Sequence, residues 1–212
     1  MMRVVGSIVC ALLLTGCSVF GVRSGTEQVS YTVIAHLDDN IEVRRYPPQL
    51  VAETTVTAPD ESSGRTKAFR VLFDYISSAN RGQKTVAMTA PVETAAAPET
   101  IAMTAPVETK VQAEGSYAMR FLLPADYTVE SSPEPTIPEV RIVEVPERTL
   151  AVLRFSGSRD ADNVARHASE LERVIAGSSW RAVGEPTTLF YDPPWTIPFL
   201  RRNEVAVPVT DG

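Results

Sequence analysis

Two stretches of the chain that lie 99 residues apart repeat one pattern, and this repeat limits the possible folds more than any other feature. Residues 41–53 (IEVRRYPPQLVAE) alternate apolar and polar side chains, break at Pro47 and resume the alternation. Residues 140–152 (VRIVEVPERTLAV) do the same around Pro146. Alternation with a period of two indicates a half-buried strand, and proline favours strand ends because it cannot donate to the ladder. Each stretch therefore predicts a strand, a turn and a second strand.

Each predicted strand pair is followed by apolar residues at the spacing of an amphipathic helix. These residues are Phe69, Leu72, Phe73 and Ile76 in the first half, and Val164, Ala168, Leu171 and Ile175 in the second. Gly82 and Gly177 lie just beyond the two patterns, where helices commonly end. The offset of 99 also relates Leu72 to Leu171, so each predicted helix belongs to the repeat.

Further strands are predicted after each helix. Their bounds are residues 85–92, 101–107 and 117–123 in the first half, and 187–191 and 204–209 in the second. Residues 132–138 hold three prolines and are interpreted as the connection between the halves. Two strand–strand–helix–strand–strand units can share one antiparallel sheet, curved or closed, with two helices packed on it. The sequence therefore predicts an α+β fold with internal pseudo-twofold symmetry.

The first 16 residues are predicted to be a signal peptide. Arg3 is their only charged residue, and residues 4–14 form a largely apolar run that is too short to span a bilayer. Residues 14–17 (LTGC) follow directly. They resemble the lipobox of bacterial lipoproteins, in which the cysteine becomes the lipidated N-terminus after cleavage.

This resemblance implies lipidation at Cys17 and anchoring to a membrane. Residues 17–30 are then interpreted as a lipidated cysteine and tether, and residues 31–212 as the folded domain. Ser18 occupies the position at which an Asp marks inner-membrane retention in such lipoproteins. The expected location is therefore the cell envelope, on the outer membrane facing the periplasm. An ordinary cleaved signal peptide and a membrane anchor are the alternatives.

Charge and cysteine content exclude several functional classes for the predicted mature chain. Cys10 leaves with the signal peptide and Cys17 carries lipid, so disulfides, thiolate metal sites and cysteine nucleophiles are excluded. Loss of Arg3 changes the formal net charge from −6 to −7, and no basic run is present. This composition argues against nucleic acid as a partner. The remaining chain, about 180 residues, is long enough for one domain with a hydrophobic core.

One octapeptide, AMTAPVET, occurs twice, at residues 87–94 and 102–109. Its proline marks the edge or end of a strand. Residues 94–100 are long enough for the chain to reverse, so the two copies are interpreted as short strands of a hairpin-like excursion. A recent tandem duplication that forms a surface loop is the alternative.

Several motifs together resemble the SOUL haem-binding protein family. They are MTAPV after the first helix, EVRRY at residues 42–46, YDPPW at residues 191–195 and RRNEV at residues 201–205. The resemblance covers residues 31–209, and the doubled MTAPV is similar to bacterial members. It implies a distorted antiparallel β-barrel flanked by two helices, built from a duplicated unit. Arg201 and Arg202 are predicted to fix the last loop by hydrogen bonds.

The resemblance also implies binding of haem or a related tetrapyrrole in an open apolar cleft. In the family this cleft lies between the first helix and the loop before the last strand. The aromatic residues that match these elements are Phe69, Phe73, Trp195 and Phe199. Such side chains offer large apolar faces for a flat ring. Arg65 and Arg70 are candidates to pair with the propionates through charge-assisted hydrogen bonds.

Iron ligation departs from the family pattern. Some members ligate the iron with a histidine just before the tyrosine of the early strand, and Arg45 occupies that position here. Arginine stays protonated and is no ligand. Thr66, Asp74 and Thr196 replace basic residues that another member uses. His36 and His167 are the remaining candidate iron ligands, with a surface or rim position as the alternative for each. Their spacing indicates no zinc site.

The expected function is binding rather than catalysis: a lipid-anchored envelope protein that sequesters, buffers or carries haem or porphyrin. An effector-binding module for other flat apolar ligands, without iron chemistry, is one alternative. A haem-degrading enzyme is another, and a purely structural envelope role is the last.

Overall fold

The computed structural model describes residues 26–82, 98–113 and 115–212. The predicted signal peptide, Cys17 and the first octapeptide copy lie outside these residues, as does the strand predicted at 85–92. The described chain forms two compact units. The C-terminal unit contains Val33–Arg44 and Leu150–Gly212, and the central unit contains Glu27–Thr32 and Arg45–Thr149.

The first half of the chain holds seven of the described strands and one helix. They are β1 (Thr32–Asp38), β2 (Ile41–Tyr46), β3 (Gln49–Thr57), α1 (Glu61–Ser77), β4 (Asn80–Arg81), β5 (Val107–Ala113), β6 (Ser116–Leu122) and β7 (Glu134–Pro135). The second half holds β8 (Arg141–Val145), β9 (Arg148–Phe155), α2 (Ala161–Ala176), β10 (Trp180–Ala182), β11 (Thr187–Phe190), a 3₁₀ turn (Pro198–Leu200) and β12 (Asn203–Asp211).

The predicted repeat is confirmed. β3 begins at Gln49 and β9 begins at Arg148, 99 residues later, and each is followed by its helix. Each half contains the order strand, strand, helix and later strands, so the α+β class is also confirmed. The strand predicted at 101–107 is wrong, because β5 begins only at Val107. The physical reason is Pro106, which has no N–H to donate to a ladder.

The C-terminal unit is a sheet with α2 packed on one face. Its strand order is β1–β2–β9–β12–β11, and β10 pairs with β12. β12 runs antiparallel to β9, β10 and β11. The core side chains that meet α2 include Ile41, Val43, Leu153, Val205 and Val207.

The central unit has the strand order β5–β6–β3–β8, with every neighbouring pair antiparallel. β4 and β7 form a separate two-stranded ladder. α1 buries Ala68, Leu72, Tyr75 and Ile76 against the sheet. The sheet residues of this core include Ala52, Val56, Met119 and Phe121.

Both helices begin at an aspartate that caps the first turn. Asp60 Oδ1 accepts a hydrogen bond from the Ser63 N–H at 2.9 Å, and Asp160 Oδ1 accepts one from the Asn163 N–H at 2.8 Å. Aspartate is a favoured N-cap because it satisfies a backbone donor that the helix leaves unpaired. The backbone and hydroxyl hydrogen bonds from Ser63 lower the pKa of Asp60.

Residues 27–29, at the N-terminal end of the central unit, form backbone hydrogen bonds with the second octapeptide copy. The Ala105 N–H donates to Glu27 O at 2.8 Å, and the Val29 N–H donates to Ala105 O at 3.1 Å. Gln28 and Ala105 form a parallel β-bridge. The second copy therefore holds residues 27–29 by backbone hydrogen bonds.

Candidate functional site

Two phenylalanines on α1 form a partly exposed aromatic surface. Phe69 and Phe73 lie one helical turn apart, with ring centroids 5.9 Å apart and planes inclined by 16°. Phe69 also meets Phe121 of β6 edge-on at 5.4 Å, which joins the pair to the core. The two residues remain 38% and 46% exposed. The predicted apolar stripe is thus split, because Leu72 and Ile76 are buried while the phenylalanines lie at its edge.

The two candidate arginines lie on the same helix. Arg65 Nη1 donates to Glu61 Oε1 at 3.0 Å, one turn earlier on α1. Arg70 lines a shallow depression of about 450 Å³ on the helix surface. The other lining residues are Ser62, Ser63, Thr66, Lys67, Val71 and Asp74. An anionic group beside Phe69 and Phe73 could therefore meet a guanidinium on either neighbouring turn.

The loop before β12 carries the other two aromatic candidates. Trp195 is 63% exposed, and Phe199, in the 3₁₀ turn, is 71% exposed. Thr196 is fully buried, so the loop turns a polar side chain inward and its large apolar side chains outward. Two large apolar side chains of this loop are thus presented to solvent.

Hydrogen bonds hold this loop in place, which confirms the predicted role of Arg201 and Arg202. Arg201 Nε donates to Thr196 O at 2.7 Å, and Arg201 Nη2 donates to Pro194 O at 2.6 Å. The Arg202 N–H donates to Asp192 Oδ2 at 2.6 Å. Arg201 thus holds the loop through its side chain, whereas Arg202 holds it through its backbone N–H.

Arg159 holds the start of the same loop. Its Nη2 donates to Asp192 O at 2.5 Å, and its Nε donates to Asn203 Oδ1 at 3.2 Å. Its guanidinium carbon lies 4.7 Å from the ring centroid of Phe190. Trp195 and Phe199 therefore project from a loop that is fixed at both ends.

Below the loop, β12 carries a buried carboxylate with a complete set of donors. Glu204 is fully buried. Its Oε2 accepts from Arg44 Nη1 at 3.0 Å and from the Tyr191 hydroxyl at 2.8 Å. Its Oε1 accepts from Arg202 Nε at 2.9 Å and Nη2 at 2.7 Å. Arg44 Nε also donates to Glu42 Oε2 at 2.7 Å. Two guanidiniums thus meet two carboxylates, which is how a buried charge becomes tolerable.

Sequence reasoning did not identify this buried network. The signal that could have found it is the position of Glu204 at the start of an otherwise apolar strand (EVAVPV), because an acid there must be buried with a partner.

The two histidines occupy different environments. His167 on α2 is 8% exposed, and its ring stacks on Phe155 with centroids 4.0 Å apart. His167 Nδ1 lies 2.7 Å from Asn163 O and donates to it, so only Nε2 keeps a free lone pair. His36 Nδ1 lies 4.0 Å from Glu42 Oε1 on a largely exposed side chain. Among residues 26–82, 98–113 and 115–212, no group of three metal-binding side chains occurs.

The described residues contain no helix that is long and apolar enough to cross a bilayer. Cys17, the predicted lipidation site, lies outside them.

Solved structures of the same fold are distant in sequence. A crystal structure of the C-terminal domain of EcmrR superposes with a TM-score of 0.58 at 14% identity, over 86% of this chain and 99% of that chain. A crystal structure of a hydrolase from Listeria innocua superposes with a TM-score of 0.53 at 12% identity, over 81% of this chain and 92% of that chain. At these identities the likeness establishes the fold alone. None of the curated proteins compared with the chain matches it significantly.

Family membership rests on a match between the sequence and a family model. The model of the family described as SOUL heme-binding protein matches residues 26–208, which include every described helix and nearly every strand residue. The motif residues that carry the resemblance have structural roles, since Arg201 and Arg202 hold the last loop and Glu204 is the buried acceptor. The chain belongs to the SOUL heme-binding protein family.

Proposed function

We propose that this chain binds haem or a related tetrapyrrole through its exposed aromatic surfaces, as a lipid-anchored protein of the cell envelope. The observation that carries the proposal is the stacked pair Phe69 and Phe73, which stays partly exposed on a helix that buries its other large apolar residues, Leu72, Tyr75 and Ile76. A tetrapyrrole is a flat apolar disc, and aromatic side chains supply large contact area at defined geometry. Membership of a haem-binding family supports the same ligand.

The remaining candidate residues carry chemical groups that suit such a ligand. Arg65 and Arg70 offer charge-assisted hydrogen bonds for propionates, and Arg65 would exchange its partly buried partner Glu61 for the ligand. Trp195 and Phe199 offer a second apolar surface on a fixed loop. A fixed loop loses little conformational entropy on binding, so its exposed rings contribute more fully to affinity.

The proposed role is carriage or sequestration rather than catalysis. Bound haem supplies an iron that can take axial ligands and change oxidation state. Arg45 stands in place of the usual histidine, and His167 is stacked and hydrogen-bonded within the C-terminal unit. The chain's own contribution is therefore apolar contact and charge pairing, with weak or external axial ligation.

A hemin titration of the full chain in a non-ionic detergent tests the proposal. We expect a saturable Soret shift at about one hemin per chain, with quenching of tryptophan fluorescence, measured against a detergent blank. Phe73→Asp places a charge on the aromatic surface of α1 and should weaken binding at least about tenfold, the effect of about 1.4 kcal/mol. Trp195→Ala tests the loop surface in the same way.

Controls separate ligand contact from general damage. Val111→Asp places the same charge on another exposed apolar residue of the central unit and should leave the titration unchanged. Protoporphyrin IX, run in parallel, tests whether iron matters: equal affinity for both compounds would favour a module for flat apolar ligands. No saturable binding of either compound would overturn the proposal. Incorporation of labelled palmitate, lost in Cys17→Ser, tests the lipid anchor separately.

A further inference from the structure

The doubled octapeptide belongs to a longer repeat of ten residues. The first decapeptide, residues 85–94 (TVAMTAPVET), and the second decapeptide, residues 100–109 (TIAMTAPVET), are identical at nine positions and differ only in Val86 and Ile101. The second decapeptide leads into β5 and supplies the first three residues of that strand. The groups of the central unit that hold it form a docking site, which consists of residues 27–29, Ile76, Arg148 and strand β6.

Backbone hydrogen bonds form one part of the docking site. The Ile101 N–H donates to Ile76 O at 2.8 Å, and Ala105 exchanges hydrogen bonds of 2.8 and 3.1 Å with residues 27–29. Residues 107–109 pair with β6 in an antiparallel ladder. Every residue other than proline has the same backbone donor and acceptor, and proline occupies the same position in both decapeptides. The first decapeptide can therefore form all of these bonds.

The side chains that enter the docking site are also shared. Glu108 is buried and binds both terminal nitrogens of Arg148, and the first decapeptide has Glu93 at this position. Ile101 belongs to the core beneath α1, and its counterpart Val86 is smaller by one methylene group. An Ile-to-Val change is among the mildest substitutions in a core. Both decapeptides therefore suit the same docking site.

The chain connections are balanced as well. In the structure a long connection, residues 82–99, leads into the docking site, and a two-residue turn, 114–115, follows β5. With the first decapeptide docked, residues 82–84 would lead into the site and the fifteen extra residues would follow the strand. The entropy of closing a loop depends on its length, so one long and one short connection cost about the same in either order.

A short connection reaches the docking site because the residues after α1 already lie beside its entrance. Asn80 Nδ2 donates to Glu99 O at 2.8 Å, and the Glu99 N–H donates to Asn80 Oδ1 at 2.9 Å. Glu99 directly precedes the second decapeptide, as Lys84 precedes the first. The four residues from Asn80 to Lys84 can span about 13 Å, which exceeds the reach of one asparagine side chain.

The residues that follow each decapeptide explain which one is docked. β5 continues beyond the second decapeptide as residues 110–113 (KVQA), whereas three alanines and Pro98 follow the first. Alanine and proline are poor strand formers, and proline also lacks a ladder donor. The second decapeptide is thus favoured by the far end of the strand rather than by the docking site itself.

We propose that the two decapeptides compete for one docking site, so that the register of β5 can shift by fifteen residues. The exchange requires only that β5 detach locally, as strands do in partial unfolding. It moves the extra residues from the start of β5 to its end, about 20 Å away along the strand. The core contacts stay the same, so the loops at the two ends of β5 change while the fold does not. The exchange is independent of tetrapyrrole binding.

A charge in the docking site tests the competition by thermal unfolding of the full chain in detergent. Ala105→Asp buries a carboxylate at a site without a cation to pair with it, which is costly. Because the first decapeptide takes over, we expect the unfolding temperature to fall by only about 5 °C. Ala90→Asp makes the same change in the undocked decapeptide and should leave it unchanged. The two substitutions together leave no uncharged occupant and should lower it by about 10 °C or more.

Thiol protection shows directly which decapeptide is docked. Thr104 is buried, and Thr89 is its counterpart in the first decapeptide. With Cys10 and Cys17 replaced by serine, Thr104→Cys should react slowly with maleimide, and Ala105→Asp should accelerate this reaction at least about tenfold. The same charge should slow the reaction of Thr89→Cys at least about fivefold, which simple opening of the docking site does not do.

Two results would overturn the proposal. In the first, Ala90→Asp fails to deepen the loss of stability that Ala105→Asp causes. In the second, Thr89→Cys reacts no more slowly when Ala105→Asp is present. Either result would mean that the docking site accepts the second decapeptide alone. Neither readout involves hemin, so a failure of the proposed haem binding would leave this test unaffected.

Discussion

Gly64 shows how one missing side chain sets the position of a helix. A Cβ atom added at Gly64 would lie 2.3 Å from Cδ2 and 2.5 Å from Cγ of Tyr117. Cγ sits next to the backbone of β6, so rotating the tyrosine ring does not remove the overlap. The close packing of α1 on β6 therefore depends on glycine at this position.

We expect Gly64→Ala to destabilise the protein despite its better helix propensity. Overpacking costs about 1–3 kcal/mol, whereas alanine in place of a helical glycine contributes only about 1 kcal/mol. Urea unfolding should show a net loss of about 1 kcal/mol. In a Tyr117→Ala background the clash is absent, so the same substitution should become neutral or stabilising. Equal losses in both backgrounds would contradict this explanation.

The position of a single residue was predictable from the sequence where the local pattern of apolar and polar residues determines it. The aromatic candidates followed from helical spacing and from the family resemblance, and the structure places Phe69 and Phe73 in contact. Their exposure was not predictable, because helical spacing does not show which edge of an apolar stripe the sheet covers. Glu204 was also missed, since its partner Arg44 is 160 residues away in the chain. Burial of a charge depends on such remote partners rather than on neighbours in sequence.

At the scale of the element, the loop before β12 is held largely by hydrogen bonds that arginine side chains donate to its backbone carbonyls. Arg201 donates to two of them, Thr196 O and Pro194 O. Arg159 and the buried Asp192 fix the other end. The loop therefore keeps Trp195 exposed through hydrogen bonding rather than through apolar packing.

Arg201→Met should loosen this loop without unfolding the protein. The substitution removes both donors but keeps an apolar side chain of similar length. Chymotrypsin, which cleaves after aromatic residues, should cut at Trp195 or Phe199 at least several-fold faster than in the wild type. Arg166→Met, at an exposed arginine of α2 with one side-chain partner, is the matched control. Unchanged cleavage in Arg201→Met would mean that the other contacts suffice.

Elements were predictable to the extent that periodicity marks them. The paired strands and both helices followed from alternation and from helical spacing, and their bounds agree within a few residues. The failure at residues 101–106 has a defined cause, because these residues resemble a strand in composition but lie before Pro106. Their backbone groups bond elsewhere, as when Ala105 pairs with Glu27 and Val29.

At the scale of the whole molecule, the two sequence halves do not coincide with the two compact units. The first half contributes Val33–Arg44, which holds β1 and most of β2, to the C-terminal unit. The second half contributes β8, within Arg45–Thr149, to the central unit. Each unit is thus completed by strands from the other half of the sequence, which no local pattern could reveal.

We therefore expect neither half to fold alone. Fragments 1–138 and 139–212, divided before β8, each lack strands that their main unit requires. Separately they should lack cooperative unfolding, because the missing strand leaves a ladder unpaired and a core uncovered. Produced together they should co-purify and regain the circular dichroism spectrum of the intact chain. Cooperative unfolding of either fragment alone would refute this.

The backbone hydrogen bonds between residues 27–29 and Ala105 also mark the point at which any N-terminal tether would join the folded chain. Under the proposed lipid anchoring, the chain advances ten residues from Cys17 to Glu27, a reach of about 35 Å when fully extended. The domain then samples only a thin layer next to the lipid surface. A poorly soluble ligand that partitions into lipid is concentrated in that same layer, so even a modest affinity captures it there. Under the proposed anchoring, the contact with Ala105 would therefore limit how far from the membrane the ligand is captured.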